Sequence, residues 1–482
     1  MTSQWSISKA REWHERTPWL RGCNYLPADC CNRIAFWQEL DFETHLATMD
    51  RELELMESIG FNSIRMILEF LVWDRQHDGF MARFERVLEC AARHHIALVV
   101  CFGNDCVVPK NDEYRMPQLG VQHYDWGYHG GRKNSPHQNH TGEVGYDPFL
   151  DEPESAERFY AMVREIVGRY ATDPRIAMWD LFNEPGHTNR GEVTLRHLKQ
   201  FFVEARRQET LQPITSGVWH RPGKWTAAEK YALEVSDVVS FHNYNSFDST
   251  VREIALLRAL DRPLMVTEWL NRINRNDVRE LFPLFFLEKI GCWNWGFVAG
   301  LSQTYEPYNS YFEKPLAPDG LPRDFTKWMH DLFRPSLRPY DPGEIELIKT
   351  YCALADRPQD RRTVGTLGEA PFADLDQRAP DAAVDAAARG HPERGGGHPV
   401  FEEARRDPGG ESVRIQRGEE PERGAAHRLR PVERRRRGFR CRLRRRPLRG
   451  PLEKIVFGCF GRPFHDALFP ALFSGEKNRR QR

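Results

Sequence analysis

Two glutamates stand where a carboxylate could do chemistry. Glu184 lies in the run Trp-Asp-Leu-Phe-Asn-Glu-Pro at 179–185, and Glu268 lies in Val-Thr-Glu-Trp at 266–269. Each closes a short apolar stretch that reads as a buried strand. A buried carboxylate without a partner is costly, so such groups are normally paired or put to use. Two of them at the ends of different buried strands suggest a pair converging on one site. Paired carboxylates are the minimum equipment for cleaving a glycosidic bond, one as proton donor and one as nucleophile or base. The plainer reading makes them partners of a helix cap or members of a buried ion pair.

The elements that must position this pair follow a regular rhythm. Short apolar runs at 19–25, 61–66, 95–102, 175–182, 213–219, 238–244, 264–268 and 292–297 read as strands. Between them, stretches with helical apolar spacing predict helices at 43–58, 80–94, 153–170, 191–209, 224–233, 249–259 and 276–289, with a closing helix at 323–333. Continuous apolar strands alternating with helices are what a parallel sheet covered on both faces requires. Eight such units predict a (β/α)₈ barrel, an α/β fold whose chemistry sits at the C-terminal strand ends. Both glutamates fall there, on the fourth and seventh strands. An open doubly wound sheet is the alternative, but no Gly-rich phosphate loop follows the first strand.

Composition divides the chain. Its 482 residues carry a formal net charge of zero, so no overall field points to nucleic acid or membrane. All 13 Trp lie at or before Trp328, and no Tyr follows Tyr351. The expected organisation is an N-terminal extension at 1–12, the barrel at 13–340, a connector at 341–356 and a low-complexity tail at 357–482. The tail is rich in Arg, Gly and Pro, with Arg434–Arg437 and Arg444–Arg446 as basic runs, and is expected to be disordered. It lacks Lys between Arg357 and Glu453, usage that fits an out-of-frame read of GC-rich sequence. The ten Cys show no metal-ligand spacing. No secretory signal and no run of about 18 apolar residues is visible, so a cytoplasmic location with reduced thiols is expected, with export open if the start is misassigned. The long polar segment 103–147 carries His123, His129, His137 and His140 among aromatic residues. Its spacing fits no zinc pattern, and a lid over the barrel mouth is expected instead.

With Asn183-Glu184-Pro185 on a fourth strand, Glu268 on a seventh and Trp295 on an eighth, residues 13–340 resemble the clan A glycoside hydrolases, and within them the cellulase/mannanase-like family 5. None of the tail shares the likeness. The resemblance implies a retaining enzyme, with Glu184 as general acid/base and Glu268 as nucleophile. It implies that Asn183 bonds the sugar 2-hydroxyl, that Arg65 sits beside the nucleophile, and that His242 and Tyr244 form a His-x-Tyr pair around the carboxylates. It implies that Trp295 stacks on the sugar. Trp293 and Trp295 share a strand, and one is expected to face the barrel interior and the other the helices. Asn24, Asn104, Trp219, Asn243, Trp269 and Gln303 lie near predicted strand ends, as subsite residues or as plain packing.

The expected function is hydrolysis of β-glycosidic bonds in oligo- or polysaccharides of the β-1,4-glucan, mannan or xylan type. A carbohydrate substrate is the expected partner. No metal, organic cofactor, specific nucleic acid or membrane is expected, and the sequence leaves the oligomeric state open. Two other readings remain: an inactive barrel that binds glycans, and a nucleic-acid-binding protein using the arginine tail.

Overall fold

The computed structural model describes residues 2–106, 116–122, 147–187 and 190–357. The tail from 358 onward and most of the His-rich segment lie outside these residues, so the lid, disorder and arginine-tail expectations do too. Eight parallel strands run β1 Arg21–Asn24, β2 Ser63–Ile67, β3 Ala97–Asn104, β4 Ile176–Asn183, β5 Ile214–Gly217, β6 Val239–His242, β7 Leu264–Trp269 and β8 Gly291–Trp295. They are ordered β5-β4-β3-β2-β1-β8-β7-β6. The last joint, between β5 and β6, is thin. Its one β-bridge joins Val218 to Phe241, and backbone bonds run from Val218 N to Ser240 O (3.1 Å), from His242 N to Val218 O (2.8 Å) and from Asp237 N to Ile214 O (2.8 Å), with Ile214 N also donating to Asp237 Oδ2 (2.8 Å). The sheet thus closes into the barrel that the alternating runs predicted.

The sequence explains why these segments pair. Strands flanked on one side by helices and on the other by the barrel interior are buried on both faces, and β4 and β7 are buried along nearly their whole lengths. Leu20, Val99, Met178, Val238, Met265 and Trp293 pack together in a cluster separate from the main core, which lies between sheet and helices. These six come from the strands or their starts, and they form the apolar floor of the interior. Above them the inward positions turn polar, with Thr215 Oγ1 2.9 Å from Ser240 Oγ and fully buried Arg65 between strands.

Two expectations need correction. Trp293 and Trp295 do not face opposite ways. Residues two apart on a strand share a face, so Trp293 fills the floor and Trp295 stands one layer nearer the mouth, half-buried. The closing helix is not at 323–333 but at Pro342–Ala355. Residues 323–333 spend their backbone groups on distant partners instead: Met329 N donates to Tyr305 O, and Leu332 and Phe333 N donate to Phe297 O. Tertiary bonding overrides helical spacing there. Asp341 caps the true closing helix at Gly343 N, and Pro342 suits its first turn. Arg21, 2% exposed, reaches Asp356 at the end of that helix (2.6 Å), tying it to the base of β1.

The amino-terminal stretch also docks on the barrel. Trp5 N donates to Asp237 Oδ1 (2.7 Å) and Thr2 N to Arg206 O (2.7 Å), ahead of the helix Ile7–Arg16. Among the described residues no helix is long and apolar enough to cross a membrane.

Trp293 is wholly buried in the floor, so Trp293→Ala should leave a void and destabilise the barrel by about 3–5 kcal/mol. Urea unfolding of the two proteins measures this, and an unchanged midpoint would remove the floor from the account of stability.

Candidate active site

The site is built around the Arg65 guanidinium. Its Nε donates to Asp180 Oδ2 (2.8 Å). Its Nη1 donates to Asn24 Oδ1 (2.7 Å) and Glu268 Oε1 (2.9 Å). Its Nη2 donates to Asn183 Oδ1 (2.7 Å) and reaches Cys101 Sγ (3.7 Å). An arginine has five N–H donors, and here they meet five acceptors from β1, β3, β4 and β7. Burial works against the charged guanidinium, but Asp180, Cys101 and Glu268 outweigh it and raise the arginine's hold on its proton.

Glu268 is buried on β7 and also accepts from Tyr244 Oη (2.8 Å). Burial pushes its carboxyl upward, and nearby Glu184 adds to that, while His242, Arg65 and the Tyr244 hydroxyl pull it down. Burial, with Glu268 beside it, keeps the Tyr244 phenol well above its ordinary value, so it remains a neutral donor.

Glu184 stands just past β4 with φ of 48°, in the left-handed region that a side chain seldom adopts. The turn holding it there is anchored from β3. Asp105 accepts from Gly186 N (3.1 Å) and Arg190 Nε (3.2 Å), and from the Thr194 hydroxyl. Burial lifts Asp105 to about 6. Local backbone strain of this kind persists only where the surroundings over-determine it. The Glu184 carboxyl is raised by burial, with His187, the Cys106 thiol and Arg65 acting against the rise.

His242 links the two glutamates. Its Nδ1 lies 2.9 Å from Glu184 Oε1 and 3.4 Å from Glu268 Oε2. Burial lowers its value to about 4, so the imidazole is neutral at ordinary pH. Gly217 makes room for it: a β-carbon there would lie 2.8 Å from His242 Nε2. Glu184, His242 and Glu268 each offer an atom within 4.8 Å of the others, a spacing that could hold a metal ion. Arg65 already supplies the positive charge at Glu268, and Tyr244 a second donor, so the cluster reads as a proton-sharing network.

The structure therefore brings Arg65, Asn183, Glu184, His242, Tyr244 and Glu268 together. Asn183 also donates from Nδ2 to Asn104 Oδ1 (2.8 Å), leaving that amide a second hydrogen for a ligand. Trp295 lies at the same mouth, at the end of β8 and in register with Asn24. Among the other strand-end residues, Asn24 and Asn104 hold the network. Asn243 binds Glu253 and Thr250, Trp269 packs on Phe285, and Gln303 is buried beside the rim cleft described below. Trp219 lies 4.2 Å from the His187 ring and 3.6 Å from that of His220, and His187 Nε2 is 3.8 Å from Glu184 Oε2.

Sequence reasoning missed Asp180, Asp105, His187 and Cys106. Asp180 offered a signal, as an acid set inside the otherwise apolar β4, and Asp105 follows Asn104 at a strand end. His187 and Cys106 offered none beyond proximity to named residues.

The class so defined is a (β/α)₈ barrel with a buried glutamate pair at its C-terminal mouth, the fold that the family-5 resemblance implied. No family model and no curated protein matches the chain. Among solved structures it is similar to a β-1,4-mannanase from the sea hare Aplysia kurodai, at 14% identity and TM-score 0.39, covering 57% of this chain and 87% of that one. It is similar to the exo-β-1,4-mannosidase Op5Man5 from Opitutaceae bacterium strain TAV5, at 14% and 0.44, covering 70% and 61%. A β-galactosidase from Halorubrum lacusprofundi aligns at 12% and 0.44, covering 70% and 58%.

Removing the hub should unfold the site. Arg65→Met leaves Asp180 and Glu268 buried without their cation and should cost about 3–5 kcal/mol in urea unfolding. His242 gives a pH signature. Its folded value, about 4, lies below the ordinary 6.5, so the unfolded chain takes up the proton first as pH falls. Its contribution to stability is complete above about pH 6.5 and declines as pH drops toward about 4. Histidine NMR titration should show the His242 imidazole, like that of His197, still neutral at pH 5, and His242→Gln should remove its resonance and reduce the acid-side loss of stability.

Proposed function

We propose that the barrel is a retaining glycosidase acting on β-linked oligo- or polysaccharides of the glucan, mannan or xylan type. The spacing of the glutamates carries the reading: one oxygen of Glu184 and one of Glu268 lie within 4.8 Å of each other. Double displacement uses carboxyl groups about 5–5.5 Å apart, whereas inversion leaves room for water between groups about 6.5–9.5 Å apart.

In this reading Glu268 attacks the anomeric carbon while Glu184 protonates the departing oxygen. The glycosidic C–O bond breaks as the ester to Glu268 forms. Glu184, now ionised, takes a proton from water, and that water displaces Glu268 with a second inversion. The donors favour this division of labour. Glu268 receives a charged N–H from Arg65 and a hydroxyl from Tyr244. Glu184 has the neutral His242 and the Cys106 thiol. The better-solvated carboxylate ionises first, and the shared proton stays on Glu184. Esterification then removes the charge of Glu268 and lets Glu184 ionise as base. In the tautomer with its proton on Nδ1, His242 donates to Glu184 Oε1 and leaves Oε2 for the leaving group. Asn183 holds the 2-hydroxyl with its spare amide hydrogen, and Trp295 stacks on the sugar.

Hydrolysis of an aryl β-glycoside followed by NMR should release the β-anomer first, and release of the α-anomer would overturn the retaining assignment. Glu268→Gln should reduce turnover to background, and a variant as fast as the parent would remove the mechanism. Glu184→Gln should slow natural oligosaccharides ~10²–10⁴-fold and nitrophenyl glycosides far less in the glycosylation step, because a good leaving group needs no proton.

A further inference from the structure

Beside the mouth of the barrel, three side chains bring the donor atoms of a transition-metal site face to face. Asp29 and Cys30 lie in the loop after β1, where Cys30 N bonds Pro27 O (2.9 Å). His45 lies near the start of the helix Phe42–Ser58. His45, Thr48 and Glu52 follow at helical spacing on one face of that helix, and the face grips the loop. Thr48 Oγ1 donates to Asp29 Oδ2 (2.8 Å), and Glu52 accepts from Ala28 N (3.2 Å) and Tyr25 Oη (2.8 Å). One donor atom each from Asp29, Cys30 and His45 lies within 4.8 Å of the other two.

The contacts within this trio are close and centre on the Asp29 carboxylate, to which the Cys30 thiol donates. His45 Nδ1 is 3.1 Å from Asp29 Oδ2. Yet Nδ1 is buried and has no aligned hydrogen bond among the described residues. Burial raises the Asp29 carboxyl, but this contact nonetheless lowers it, as do the Thr48 and Cys30 hydrogen bonds. Cys30 Sγ is 3.7 Å from Asp29 Oδ1. A tetrahedral zinc ion, with bonds of about 2.0 Å to N or O and about 2.3 Å to S, sets neighbouring ligand atoms roughly 3.3–3.6 Å apart. The separations from His45 and Cys30 to the two oxygens of Asp29, 3.1 and 3.7 Å, lie on either side of that range.

We infer that Asp29, Cys30 and His45 form a site for a divalent transition metal of the zinc class, tying the β1 loop to the helix Phe42–Ser58. The donor set selects the metal: thiolate and imidazole suit zinc, whereas magnesium and calcium take oxygen ligands. Binding exchanges the Cys30 thiol proton for the metal, and one proton leaves to solvent. Asp29 also lines a cleft of about 680 Å³ together with Thr48, Arg51, Glu52, Gln303 and Tyr305, and water from it supplies the fourth ligand. Asp29 and His45 are 16 residues apart in the chain (45 − 29) and match no metal-binding spacing, so sequence pattern alone does not reveal the trio. The inference is independent of the glycosidase reading.

The test is a cobalt titration of the chelator-stripped full chain, with zinc as competitor. A thiolate-to-cobalt charge-transfer band should saturate at one equivalent and disappear when zinc is added. Cys30→Ser should lose the band, and His45→Ala should bind at least tenfold more weakly, both with an unchanged far-ultraviolet circular dichroism spectrum. Glu268→Gln, which alters the catalytic cluster, should keep the band. Absence of a band in the wild-type protein at excess cobalt would overturn the site, leaving Asp29 and His45 as an ordinary ion pair. A band that survives in Cys30→Ser would overturn it equally, by placing the metal elsewhere.

Discussion

The bond that the rest of this site depends on is the salt bridge between Arg65 and its two carboxylates, Asp180 and Glu268. A guanidinium sealed inside a barrel is tolerable only if every N–H is met and its charge is balanced. Here all five donors are met, and the acceptors come from four strands. The arginine therefore fixes the relative heights of β1, β3, β4 and β7 around itself. It also sets the electrostatics. One cation faces two carboxylates at once, and a third, Glu184, stands beyond His242. Three negative charges around one positive charge in a dry interior are unfavourable, so a proton must be retained, and the weakest set of donors decides where it rests.

Glu184 is positioned in a different way. No strand dictates its backbone, which turns left-handed as soon as β4 ends. Its place comes from Asp105, one strand over, whose carboxylate gathers the amide of Gly186, the Arg190 guanidinium and the Thr194 hydroxyl. One glutamate is thus held by the barrel wall and the other by a loop pinned to its neighbour. The first is rigid by construction. The second rests on a left-handed turn held by the hydrogen bonds that Asp105 accepts.

Much of this was legible in the sequence, because the signals were local. Continuous apolar runs between amphipathic stretches gave the eight strands, and acids ending two of those runs marked the mouth. Arg65 was visible as a charge ending an apolar strand. What escaped had a non-local cause. Asp180 lies inside a quoted motif, yet its role depends on β2 lying two strands away in the sheet order. The segment 323–333 has helical spacing, but its amides are claimed by Phe297 and Tyr305, which no local pattern predicts. Asp29, Cys30 and His45 meet only because a helix folds back over the β1 loop. The two tryptophans of β8 were misassigned for a plainer reason: strand periodicity puts positions two apart on one side.

The thin joint between β5 and β6 has a mechanical consequence. Seven seams lace the eight strands into one sheet, while the eighth carries a single bridge at Val218 and Phe241, supplemented by the Ile214–Asp237 and Thr215–Ser240 contacts. Glu184 and His242 lie on opposite banks of that seam, and their bond crosses it. Arg65, Asp180 and Glu268 all lie within the continuous lacing. Flexing concentrated at the seam would stretch the link between His242 and Glu184 while leaving the charged hub in place. The link between Glu184 and His242 therefore crosses the least-bridged seam of the barrel, whereas the bonds from Arg65 to Asp180 and Glu268 stay within the continuous sheet.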